Sequence, residues 1–156
     1  MLNLITDRTS ADVERWKELH DKGWDAMNAE EQAEWMNGMK GAYKHTDLNR
    51  VESAVEELQG RLIKLGKLGT PLVVKTDWTR TGYPSAADMN RYFGNVESLR
   101  VSLGVNLNVP STPTTRERFN YDKANNLEKI LVAVDAWVTG AENAINYSGE
   151  IYAGEV

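Results

Sequence analysis

Three separate segments of this chain carry large apolar residues at intervals that alternate strictly between three and four, and that pattern leaves few folds open. In the first, Leu48, Val51, Val55, Leu58, Leu62 and Leu65 follow Thr46, whose hydroxyl suits a helix N-cap. In the second, Ser85 with Asp88 three residues on makes a capping-box start for Met89, Tyr92, Val96, Leu99 and Leu103. The third begins near Asn120 or Asp122 and runs through Ala124, Leu127, Leu131, Val134, Val138, Ala141 and Ile145. A mean spacing of about 3.5 residues puts each set on one stripe of an α-helix, as in a coiled-coil seam. Each stripe then needs another to bury it.

Aligned on their first seam residue, the segments read Leu48-Asn49-Arg50, Met89-Asn90-Arg91 and Ala124-Asn125-Asn126, with an asparagine in the same place each time. This register resembles an internal helical repeat whose connections vary in length. Such an asparagine either makes a specific hydrogen bond that sets helix register or partner choice, or is the polar residue that first turns favour. Asn49, Asn90 and Asn125 are therefore candidate interface residues.

Two shorter helices precede the repeat. Thr9 or Ser10 caps Ala11 to Lys22, where Val13, Trp16 and Leu19 share a face, and Gly23 ends it. Asn28 with Glu31 starts a second, through Ala33, Met36 and Met39, ended by Gly38 and Gly41. The pair reads as a helical hairpin over 9–43 with Trp16, Trp24 and Trp35 as its core. Pro71 to Trp78 is β-branched and bounded by Gly69 and Gly82-Tyr83-Pro84, which predicts one short strand near 71–78. Val105 to Thr115, with Pro110 and Pro113, reads as a surface loop. Tyr147-Ser148-Gly149-Glu150 and Tyr152-Ala153-Gly154-Glu155 are rich enough in glycine to predict an extended tail over 147–156, which either frays or pairs with another edge. The expectation is a mainly α, single domain over 1–156, a bundle of about five helices: the hairpin, a three-helix region over 46–146, and the tail.

Composition narrows the function classes. With 41% hydrophobic and 26% charged residues the chain has the profile of a folded globular protein. A net charge of −5 repels nucleic acid and anionic membrane, so neither is expected as a partner. Without cysteine there is no disulfide and no thiolate chemistry. The first residues acquire charge at Asp7, too early for a signal peptide, and no apolar run reaches the roughly 20 residues of a membrane span. Folding in a cytoplasm is expected.

A search for catalytic chemistry finds little. The two histidines, His20 and His45, stand in no triad-like setting, and neither HxxxH nor a calcium-loop pattern occurs, so no metal or cofactor is expected. The stretch from Gly60 to Leu68 falls short of a phosphate-binding loop, because Gly66-Lys67 is followed by Leu68 where a magnesium-binding hydroxyl belongs. Arg61, Lys64 and Lys67 read instead as cations near a helix C-terminus. Glu30, Glu31 and Glu34 read as a solvated first turn rather than a catalytic carboxylate pair. An enzyme is not expected.

Several motifs do resemble a known group. Trp35-Met36-Asn37-Gly38-Met39-Lys40-Gly41-Ala42-Tyr43, then Thr46-Asp47-Leu48-Asn49-Arg50-Val51-Glu52, then Lys75-Thr76-Asp77-Trp78, Met89 to Tyr92, and the closing Tyr-Ser-Gly-Glu and Tyr-x-Gly-Glu are similar to phage and prophage tail proteins of Gram-positive bacteria. The resemblance spans about Asp7 to Glu155. It implies a virion structural role near the distal tail, in a baseplate or at a fibre attachment point, with other tail proteins as partners and no catalytic residues.

Tail symmetry would make the protein a homo-oligomer, a trimer or hexamer. Ile130, Trp137 and Ala144 form a second stripe on the last helix, available to an interface or buried within the subunit. Trp137, Ile145, Tyr147, Ile151 and Tyr152 join the three asparagines as interface candidates. Two other roles stay open: a receptor- or glycan-binding module stacking sugars on Trp78 or Trp137, and a small acidic regulator that binds a host protein.

Overall fold

The structure, a computed structural model, describes residues 2–154, and the side chains of residues 2–148. It contains α1 (Ser10–Lys22), a single 3-10 turn (Trp24–Ala26), α2 (Ala29–Asn37), α3 (His45–Lys64), α4 (Ala86–Ser102) and α5 (Tyr121–Gly154). The expected bundle of five helices is present.

Caps set most of the starts. Thr9 and Asp12, Asn28 and Glu31, and Ser85 and Asp88 each close a reciprocal capping box, satisfying N–H groups that a first turn otherwise leaves free. Asn120 accepts the Lys123 N–H at the start of α5. The third start differs from expectation. α3 begins at His45, one residue before Thr46, because the Asp47 carboxylate accepts the Lys44 N–H at 2.9 Å and makes Lys44 the boundary.

The three seams converge. Each of α3, α4 and α5 packs against the other two. Leu48, Val51, Val55, Leu58 and Leu62 meet Tyr92, Val96, Leu99 and Leu103 and Leu127, Leu131, Val134 and Val138 in one core, with Leu65 and Met89 at its margin. Burying each such side chain is worth about 1.5–3 kcal/mol, so this core is the main stabilising term.

Three sequence expectations are corrected. No strand forms at 71–78. A strand needs a partner ladder, and among the described residues none lies beside this segment; it instead lies along α3, tied by side chains. The extended tail is likewise not found: α5 continues to Gly154. A glycine costs a helix only about 1 kcal/mol, and an existing helix needs no new nucleation to propagate past one. Finally, Trp24 is 46% exposed and outside the hairpin core, where Leu19 and Met27 are the buried residues. Trp16 and Trp35 do stack, with ring centroids 6.5 Å apart.

Candidate interaction surfaces

The asparagines explain how three non-helical arms are placed. Asn49 Oδ1 accepts the Trp78 N–H at 2.7 Å and its Nδ2 donates to the Trp78 carbonyl at 2.9 Å. One turn on, Glu52 accepts the Lys75 N–H at 2.8 Å, and Gln59 clasps both backbone groups of Leu72. Residues 71–78 therefore run antiparallel to α3. On α5, Asn125 clasps Arg8 in the same way, at 3.0 and 2.8 Å, while Glu128 accepts the Ile5 N–H at 2.6 Å. On α4 the pattern loosens. Asn90 takes only the Thr115 hydroxyl, and Glu97 the Thr112 hydroxyl.

Each of the three seam helices carries one arm. The arm leading into α4 lies on α3, the arm leading into α5 lies on α4, and the N-terminal arm lies on α5. Asn49 and Asn125 thus spend their amides within the chain, whereas Asn90 is exposed. The Asn-x-x-Glu spacing shared by 49/52 and 125/128 was the available signal for Glu52 and Glu128; on α4 the second position is Phe93.

Two buried ionic clusters lock the arms. Glu128, fully buried, accepts from Arg8 Nη2 at 2.9 Å and Arg50 Nη2 at 2.7 Å, and the same two nitrogens reach Asp47 at 3.1 and 2.7 Å. Two positive and two negative groups balance, as burial of charge requires. Tyr43 lies over the Arg8 guanidinium and its hydroxyl meets that of Tyr92 at 2.5 Å. Burial pushes both phenols well above the ordinary tyrosine range. In the second cluster Arg91 forks onto Glu52 at 2.6 and 2.7 Å, and the Trp78 indole N–H donates to the same carboxylate. At 6% exposure, Trp78 offers no face to a sugar. The expected stacking of a sugar on Trp78 is therefore blocked by its burial.

The hairpin is held by ion pairs as much as by its tryptophans. Arg15 Nη2 reaches Glu34 at 2.8 Å and Lys22 reaches Glu31 at 2.7 Å, so these glutamates bridge α1 and α2 rather than merely face solvent. The Arg15 bond holds the Glu34 carboxyl below its usual range, and the Lys22 bond does so for Glu31.

At the far end of the bundle, α5 outlasts its neighbours. Arg61, in the last turns of α3, grips it with bonds to Asp135 at 2.5 Å, Thr139 at 2.9 Å and Glu142 at 2.8 Å, a larger role than cationic helix-end chemistry. Among the α5 residues whose side chains are described, Val138 is the last buried one. From Asn143 to Ser148 every side chain is exposed, including Ile145 at 59% and Tyr147 at 66%. At 1.5 Å per residue the helix runs about 18 Å from Asn143 to Gly154. Trp137 lies below this projection, half-buried, with the Lys67 ammonium 5.5 Å from its ring centroid. Of the second stripe, Ile130 is buried and Ala144 exposed. Ile151 and Tyr152 lie outside the residues whose side chains are described.

No helix among the described residues is long and apolar enough to cross a membrane. Comparison with protein-family models, with curated proteins and with solved structures returned no match.

Proposed function

We propose that this protein is a structural component of a bacteriophage or prophage tail, at the distal tail, baseplate or a fibre attachment point, and that it acts by protein–protein assembly through the projecting end of α5. The observation that carries the reading is a seam that outruns its bundle. Its buried part, from Ala124 to Val138, ends in the core, yet the same spacing continues through Ala141 to exposed Ile145. A solitary helical segment of this length is marginal in water, and apolar residues on it gain free energy only against a partner. The resemblance of the chain's ordered motifs to those of Gram-positive tail proteins suggests the biological setting. Copies arranged with three- or six-fold symmetry would bring these helices together as a repeated contact.

The test is quantitative mass spectrometry of particles purified from an induced culture, with this chain's copy number set against a known tail protein. A small multiple of three is the expected result. Absence from particles at good coverage would overturn the tail assignment.

A further inference from the structure

Between the α1–α2 hairpin and the start of α5 lies an open cleft of about 500 Å³, a volume common for small-molecule sites. Trp16 and Lys17 of α1, Lys40 of the loop after α2, and Arg118, Phe119 and Tyr121 of the passage into α5 form its walls. No aspartate or glutamate lines it, although the chain carries a net charge of −5. Lys17 and Arg118 are exposed and, among the described residues, make no ion pair; Lys40 meets only Asp7, at 2.8 Å.

Arg8 also lines the cleft, at 4% exposure. Its Nε is the one buried side-chain nitrogen or oxygen among the described residues that lacks a hydrogen-bond partner. Gly41, another lining residue, sits so close to α1 that a methyl group there would overlap the Asp12 carbonyl, which keeps the hairpin wall in place.

Lys17 and Arg118, which have no acidic partner of their own, concentrate a positive potential in this concavity on a protein whose net charge is negative. Charge-assisted hydrogen bonds from lysine and arginine suit a phosphate or carboxylate, and aromatic faces suit a ring. We propose that this cleft binds a small organic anion, a single phosphate or carboxylate carried on a ring. Lys17, Lys40 and Arg118 take the anionic group, and Trp16 and Tyr121 pack against the ring. The site is separate from the projecting end of α5, so either reading stands if the other fails.

Amide and indole NMR shifts of the full chain, titrated with phenyl phosphate, glucose 6-phosphate, benzoate, glucuronate, inorganic phosphate and glucose, test the proposal. At least one ring-bearing anion is expected to saturate shifts at Trp16 and Tyr121. It should bind about tenfold or more tighter than inorganic phosphate, with glucose inert, and the ring that saturates identifies the ligand class. The double variant Lys17→Gln/Arg118→Gln changes only exposed side chains, and should keep its melting temperature while losing at least about tenfold in affinity. Three outcomes would each overturn the proposal: no shift at Trp16 with any probe at about 10 mM, inorganic phosphate binding as well as the ring compounds, or a double variant that binds like the parent.

Discussion

The side-chain amide of Asn49 holds the backbone of Trp78 by both of its polar groups, accepting from the N–H at 2.7 Å and donating to the carbonyl at 2.9 Å. With Glu52 on Lys75 and Gln59 on Leu72, it stands in for the neighbouring strand that residues 71–78 lack. Asn125 treats Arg8 identically, whereas Asn90 touches only a hydroxyl. Asn49→Ala and Asn125→Ala should each cost about 1–3 kcal/mol in urea unfolding, because backbone groups are left unpaired. Asn90→Ala should stay within about 0.5 kcal/mol. Equal losses at all three positions would show that the clasp is not what those asparagines contribute.

Glu128→Gln leaves Arg8 and Arg50 sharing Asp47 alone in a buried site. Breaking one member of such a cluster is expected to cost about 3–5 kcal/mol. The exposed-side pair of Glu97 and Arg100 is the comparison, where Glu97→Gln should cost less than about 1 kcal/mol. Chemical denaturation of the two variants measures the difference.

Acid should weaken the ion pairs that join the two hairpin helices. Glu31 and Glu34 have folded pKa values below their ordinary value of 4.5, held down by Lys22 and Arg15 respectively. A depressed carboxyl stabilises the fold above its unfolded pKa, and that contribution disappears as the pH falls through the lower, folded value. The loss therefore falls below about pH 4.5. Tryptophan NMR signals from the Trp16–Trp35 stack should move in this range. The same contribution should weaken with added salt, since the pairs are solvent-accessible.

Two glycines make opposite predictions. A methyl group at Gly41 would overlap the Asp12 backbone, so Gly41→Ala should destabilise by about 1–3 kcal/mol and disturb α1. At Gly60, inside α3, a methyl group meets open space, and Gly60→Ala should stabilise by about 0.5–1 kcal/mol through helix propensity. Thermal melts of the two variants should therefore shift in opposite directions.

The polar contacts were harder to read from the chain than the apolar ones. Asn49, Asn90 and Asn125 announced a common register, but whether an asparagine bonds to its own first turn or to a distant backbone depends on what the fold brings within 3 Å. Arg8 finds Glu128 across 120 residues of sequence, a pairing that no local pattern encodes. The cleft shares this difficulty, since Lys17 and Arg118 face one space only after the hairpin has docked beside the start of α5. Trp78, a candidate for sugar stacking from its residue type, is instead buried by the seam, with its indole N–H on the Glu52 carboxylate.

By itself the sequence determined five helices, the caps at Thr9, Asn28 and Ser85, and the buried stripes from Leu48 to Val138, because these follow from contacts three and four residues apart that a helix makes wherever it lies. Only the tertiary structure decided the rest. It turned 71–78 into an arm clasped by α3 instead of a strand, and it left Ile145 and Tyr147 exposed on a helix that continues to Gly154. A backbone segment pairs with whatever groups are within reach, and a seam is buried only as far as its neighbours extend.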